Sequence, residues 1–193
     1  MEVRFNKENH SYEDDDGPLV AVSTVTKKLH SFEGIDPGVL QNAANRGTAV
    51  HSLCELWDNG ELDMSKVDPE LLPYLEGWIN FTEQTNFKVI QMEQIVADRN
   101  LRFAGRLDRT GSIGSSKYVL DIKTGTNPTP AWGVQIAAYK SCLEGGRLYN
   151  CVALQLKKDG SYRLHAYPDY QGDIACFRAL LTLRNWKLNR GVE

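Results

Sequence analysis

From residue 36 to residue 85 the apolar positions follow a helical period. From residue 87 they alternate with polar ones, and beyond residue 129 both patterns recur. The helical stretch opens at Asp36-Pro37, an N-cap followed by proline at the first helical position. Its stripe of Leu40, Ala43, Ala44, Gly47, Val50, Cys54 and Trp57 repeats at 3.6 residues and predicts a helix to about Asp58, ended by Asn59-Gly60. A further helix is expected over about 69–85, with Pro73 either kinking it or marking its start. Upstream, "RFNKENHSYEDDDGPLVAV" reads as short strands joined by an acidic Asp-Gly turn, and Ser23 as the cap of a short helix, "STVTKKLH".

The alternating part begins with "FKVIQMEQIVAD", the signature of a half-buried strand. "LRFAGRLDRTGSI" and "KYVLDIKTG" follow, separated by the turn-like "GSIGSS", and the three predict an antiparallel meander. "TPAWGVQIAAYKSCLEGG" is a helix with Thr129 as N-cap, Pro130 at the first position and Gly145-Gly146 at its end. "YNCVALQLKKDGSYRLHAY" is a hairpin with an Asp-Gly turn. "GDIACFRALLTLRNWKLN" closes the chain as a basic helix. The expected architecture is α/β (α+β), a central mixed sheet flanked by helices. It divides into an N-terminal hairpin and short helix (1–30), a helical part (36–86), a core (87–145) and a C-terminal hairpin with its basic helix (146–193).

At 193 residues the chain suits one domain with a real core. No apolar run approaches the roughly 18–20 residues of a membrane span, and the polar "MEVRFNKENH" is not a signal peptide. The cysteines, Cys54, Cys142, Cys151 and Cys176, form no CxxC pair, which argues against a zinc or iron–sulfur site and against a disulfide framework. A cytoplasmic protein with reduced thiols is expected. The net charge of −3 hides an asymmetry: residues 1–98 carry 7 basic and 18 acidic side chains, residues 99–193 carry 15 and 7. A basic half of this kind can meet a polyanion while the acidic half maintains solubility.

Chemistry concentrates in "YVLDIKTG". Side chains two apart on a strand share a face, so Asp121 and Lys123 point together while Ile122 points into the core. In "AGRLDR", Arg106 and Asp108 share a face opposite Leu107, and a hairpin between the strands would bring Asp108 towards Asp121. Converging carboxylates repel unless a cation lies between them. Mg²⁺ suits such a site, since it takes one or two carboxylates together with substrate phosphates. Lys123 would then orient or deprotonate the attacking water, or neutralise charge developing on a phosphate. On helices, Gln135 and Tyr139 are paired at i, i+4, as are His51 and Glu55, near the small Gly47.

In their order, "RGTAVH", "GRLD", "LDIKTG" and "QIAAY" resemble the successive motifs of the PD-(D/E)XK nucleases. More narrowly they resemble the RecB-type branch with its GxxD, DxK and QxxxY pattern. That branch includes the RecB nuclease domain, RecE, the mitochondrial genome maintenance exonuclease and phage-encoded relatives. The opening "VSTVTKKL" is similar to the phage-type members. The resemblance spans roughly residues 18 to 140. It implies a restriction-endonuclease-like fold, with residues 87–145 as the catalytic core. It implies Asp108 and Asp121 as metal-binding carboxylates, the Ile122 carbonyl as a further ligand, Lys123 as the catalytic lysine and His51 as the helix histidine that joins the metal. Gln135 and Tyr139 would support Lys123 or contact the DNA backbone. Glu93 would support the site, and Glu55 is a further candidate, for a second ion. The implied chemistry is Mg²⁺- or Mn²⁺-dependent hydrolysis of DNA without sequence preference, in phage-type recombination, replication or repair. The implied partners are DNA ends, with room for an annealing protein or helicase. The iron–sulfur cluster of some relatives needs four cysteines with a CxxC, so none is expected here. Arg99, Arg102, Arg106, Arg109, Lys140, Lys157, Lys158 and Arg163 lie on or near the elements that build the site and would meet phosphates. Trp132 would pack in the core or stack on a base. The alternatives are a site- or structure-specific endonuclease of this fold and a DNA-binding module without catalysis.

Overall fold

The computed structural model describes residues 2–7, 9–31 and 33–192. The first strands are β1 (Arg4–Asn6), β2 (Ser11–Asp14) and β3 (Gly17–Ala21), joined as antiparallel neighbours. Helix α1 (Val22–Thr26) follows directly. Ser23 does not cap it: the helix starts one residue earlier, the cap is Ala21, and no side chain serves the cap. Helix α2 (Pro37–Asp58) starts as expected, with the Asp36 carboxylate accepting from Gly38 N and Val39 N. Helix α3 (Leu72–Thr85) settles the two readings of Pro73, which lies in its first turn and marks its start.

The next strands are β4 (Lys88–Asp98), β5 (Phe103–Ile113) and β6 (Ser116–Lys123). They form the antiparallel meander that the alternation predicts. Helix α4 (Pro130–Ser141) is capped by Thr129 and carries the chain over to β7 (Tyr149–Leu156), which lies parallel to β6. β8 (Tyr162–Ala166) returns antiparallel, and α5 (Tyr170–Arg190) ends the fold. The strand order is β1-β2-β3-β5-β6-β7-β8, with β4 also paired to β5. The architecture is therefore a central mixed sheet flanked by helices.

Helices cover both faces, because the strands are apolar on both. On one face Val119, Cys151 and Ala153 pack with Ile136 and Ala137 of α4 and with Phe177 of α5. On the other, Leu120, Ile122, Val152 and Leu154 pack with Val50 and Cys54 of α2 and with Trp78 and Phe81 of α3. β5 is the strand on which the sheet divides. Its start pairs in parallel with β3 (Val20↔Phe103, Ala21↔Ala104), and its end pairs with β6 from Arg109↔Leu120 onwards. Between these two partners lies Asp108.

Candidate active site

Asp108 sits where β5 and β6 part, and its side chain takes over the missing ladder bond. Its Oδ2 accepts from Ile122 N at 2.6 Å. Its other oxygen lies 3.4 Å from His51 Nδ1, across the cleft on α2. His51 also donates from Nε2 to the Ile122 carbonyl, 2.9 Å away. One histidine thus contacts both Asp108 of β5 and the end of β6 that carries the Asp-x-Lys triplet. The Ile122 carbonyl, expected to face a metal, is turned towards α2 and accepts from His51.

Asp121 and Lys123 do share a face, with Lys123 Nζ 2.6 Å from Asp121 Oδ2. Lys123 also donates to Gln135 Oε1 at 2.9 Å, and Gln135 Nε2 in turn donates to Tyr139 Oη at 2.9 Å. The i, i+4 pair on α4 therefore forms a relay that fixes the ammonium. Tyr139 reaches this position because β5 has no side chain at Gly105. A Cβ there would stand 2.4 Å from Tyr139 Cε1. Tyr139 is a buried phenol, and burial together with the Asp121 charge raises its pKa well above the ordinary value, so it acts as a neutral hydrogen-bonding group.

The electrostatics of the centre are those of a carboxylate cluster short of positive charge. Burial pushes the Asp121 carboxyl up to about 6, against the pull of Lys123 and with the repulsion of Asp108 added. Burial also works against ionised Asp108, but His51, Lys123 and the Ile122 N–H outweigh it and leave its pKa depressed. For His51 burial opposes charge, and the neighbouring Asp108 carboxylate reverses the balance and raises its pKa to about 9. The imidazolium therefore provides positive charge between the carboxylates in the protein alone.

His51, Glu93 and Asp108 offer ligand atoms that all lie within 4.8 Å of one another. Glu93 is the most constrained of the three. Its backbone is left-handed (φ 48°), which strains a non-glycine residue by about 1–3 kcal/mol. It falls between the pairs Met92↔Arg109 and Gln94↔Leu107, downstream of the register shift between Val89 and Gln91. Both its oxygens are engaged, Oε2 by Arg106 Nε at 2.9 Å and Oε1 by Arg109 Nη1 at 3.0 Å. Burial still raises its pKa, and Asp108 adds to that.

The donor set fits a divalent cation. Asp121 Oδ2 is buried and has no well-directed hydrogen bond among the described residues, and it feels the charge of Asp108, which converges with His51 and Glu93. Hard oxygen donors with one imidazole suit Mg²⁺ or Mn²⁺. Asp108, Asp121 and His51 are the residues that would hold it, with Glu93 oriented by its arginines to support them. Glu55, four residues after His51, lines the same cleft of about 410 Å³.

Several basic side chains expected to face phosphates have other roles. Arg109 has no exposed side-chain surface. It donates to Asp58 Oδ2 at 2.8 Å, meets Glu93, and lies over the Trp78 ring. Arg102 binds both oxygens of buried Asp14, and Lys140 is buried against the Tyr170 ring. Arg106 is partly exposed, but its guanidinium is held by Glu93 and by the face of Phe5, 5.3 Å away. Trp132 is buried and packs edge-on to His165, so it belongs to the core. Sequence reasoning missed the opposite wall of the cleft, where Phe5 of β1 stacks on Tyr12 of β2 at 4.8 Å. The signal was the pair of aromatics in the acidic N-terminal hairpin.

Among the described residues, no helix is long and apolar enough to cross a membrane. No protein-family model and no curated protein matches the chain. Among solved structures it is similar to an alkaline exonuclease (LHK-Exo) from Laribacter hongkongensis, at 12% identity and a TM-score of 0.43 over 90% of this chain and 92% of that one. It is similar also to LHK-Exo in complex with dAMP, at 14% identity and a TM-score of 0.42 with the same coverage.

Proposed function

We propose that this protein is a PD-(D/E)XK-type DNA nuclease that hydrolyses phosphodiester bonds from strand ends with Mg²⁺ or Mn²⁺. One observation carries the reading: Asp108, Asp121 and Lys123 converge at the point where β5 and β6 separate, with Lys123 fixed by Gln135 and Tyr139. When bound, a divalent cation supplies Lewis acidity and neutralises charge on the phosphate. Asp108 and Asp121 would hold it, and His51, after losing its Nδ1 proton while Nε2–H stays on the Ile122 carbonyl, would provide a nitrogen ligand on the α2 side. Lys123 presents its ammonium to the reacting phosphate and to the attacking water, where fixed positive charge favours the more negative transition state. Gln135 and Tyr139 are positioning residues that keep Nζ at that place. The reading includes the RecB-type branch and a role in recombination or repair, from the motif resemblance, and a cytoplasmic setting, from the cysteine pattern.

The test is degradation of end-labelled linear DNA with Mg²⁺, Mn²⁺ or EDTA. Lys123→Ala and Asp121→Ala are each expected to lower the rate by about 10² to 10⁴-fold or more. Full activity in both variants, or cleavage that persists in EDTA, would end the proposal. A closed circular duplex distinguishes the mode of attack, because cutting of the circle identifies an endonuclease on the same site.

A further inference from the structure

A second cavity, of about 450 Å³, opens beside the catalytic residues where β6 and β7 end and β8 begins. We infer that it is an anion site for a backbone phosphate of the DNA strand beyond the scissile bond, an inference that rests on the nuclease reading. The sheet register places it. Lys123 is paired with Gln155 and Gln155 with Arg163. Directly paired residues share a face, so a polar row runs from the catalytic lysine to Arg163. Arg46 of α2, Lys157, Lys158 and Arg163 line the cavity. None of these four cations is ion-paired with a described carboxylate.

The Nε of Arg46 is buried and has no hydrogen-bond partner among the described residues, an arrangement that costs free energy unless a ligand completes it. The one acid in the lining, Asp159, has one oxygen, Oδ1, bound by Ser161, whose N and Oγ donate to it at 3.0 and 2.6 Å, against four cations. The rim is rigid. Gln155 Nε2 donates to the carbonyls of Gly125 at 2.7 Å and Thr126 at 3.0 Å, holding the loop after Lys123 in place. The cavity and the catalytic cleft adjoin at Gly47 of α2, which lines the cleft, and Thr124, which lines the cavity: a Cβ on residue 47 would stand 3.8 Å from Thr124 Oγ1. Because residue 47 has no side chain, a strand leaving the catalytic centre can cross that saddle and bring its next phosphates to Arg46, Lys157 and Arg163.

The experiment reads binding without catalysis. Fluorescein-labelled single-stranded oligodeoxynucleotides of about 4 and about 12 nucleotides are titrated with protein in EDTA over a series of KCl concentrations. Lys157→Gln/Arg163→Gln is expected to weaken the longer oligonucleotide about tenfold. It should also flatten the slope of log affinity against log salt by about 1.4, or about 0.7 per lost single-strand contact. The control pair Lys88→Gln/Arg147→Gln removes the same charge at exposed positions outside the cavity lining, and is expected to stay within about twofold of wild type, as surface substitutions usually do. Equal weakening by both pairs would mean that only net charge matters, and an unchanged affinity and slope in the cavity pair would also overturn the inference. Cleavage of the same oligonucleotide in Mn²⁺ separates the two readings. Loss of binding in the cavity pair without any wild-type cleavage supports the anion site and sinks the nuclease. Cleavage with binding unaffected by the cavity pair does the reverse.

Discussion

Arg109 is a guanidinium with no exposed surface, so each bond it makes replaces water. Asp58, Glu93 and the Asp108 carbonyl take its Nε and Nη1, and Trp78 covers its face. Trp78 Nε1 also donates to Asp58, at 2.8 Å. The residue therefore joins α2, α3 and β4 beneath the candidate active site. Arg109→Met roughly keeps the volume and removes the shared cation, leaving buried Asp58 with only the Trp78 N–H and Glu93 with only Arg106. Stability is expected to fall by about 3–5 kcal/mol, read from the urea unfolding midpoint. A loss under about 1 kcal/mol would mean that water reaches the two carboxylates and that the network is not structural. Nothing in the sequence distinguishes this arginine from those facing solvent. Its partner Asp58 lies 51 positions earlier, and strand alternation carries no information about a partner on another element. Asp121 and Lys123 were legible for the opposite reason: two residues on one strand have a relation fixed by the pleat alone.

At the level of elements, β5 organises the site by being irregular. Gly105 faces Tyr139 of α4, whereas Arg109, four residues on, lies over Trp78 of α3 on the other side of the sheet. Strict alternation would keep both on one face. They part at Asp108, where the ladder to Glu93 is interrupted and β3 gives way to β6. The caps Asp36 and Thr129 were readable because a cap is a local event. The parallel pairings of β3 with β5 and β6 with β7 were not, since strand partners are chosen by the whole core. Gly105→Ala tests the most exposed consequence. Its Cβ would meet Tyr139 Cε1 at 2.4 Å and Val22 Cγ2 at 3.3 Å, displacing the tyrosine that holds Gln135. The expected cost is about 1–3 kcal/mol of overpacking, with a lower cleavage rate. In a Tyr139→Ala background the same substitution should cost much less by thermal unfolding. Equal costs in the two backgrounds would place the strain somewhere other than at the tyrosine.

Across the whole molecule, part of the contrast between an acidic first half and a basic second half resolves into ion pairs that bind the halves together. Asp14 of β2 takes Arg102 at 2.8 Å and Arg99 at 3.7 Å. Asp58 takes Arg109, and Glu93 takes Arg106 and Arg109. The asymmetry was visible in the sequence, but its use as an internal fastener was not, because burial decides whether a charge faces a partner or the solvent. Asp14 fastens the N-terminal hairpin, which forms one wall of the cleft at the candidate site. Burial works against its charge, but the hydrogen bonds from Arg102 and the Asp16 N–H and the two arginine charges leave its pKa lowered. A carboxyl whose folded pKa is depressed stabilises the fold above its unfolded value of about 3.9, and that stability is lost as pH falls through the folded value. Asp14→Asn is therefore expected to be less stable than wild type at pH 7. The gap should narrow as the pH drops below about 4, as the wild-type carboxyl takes up its proton. Urea midpoints of the two proteins measured from neutral to acid pH decide it. A gap that stays constant with pH would show that the asparagine merely disturbs packing and that the Asp14 charge does not hold the hairpin against the sheet.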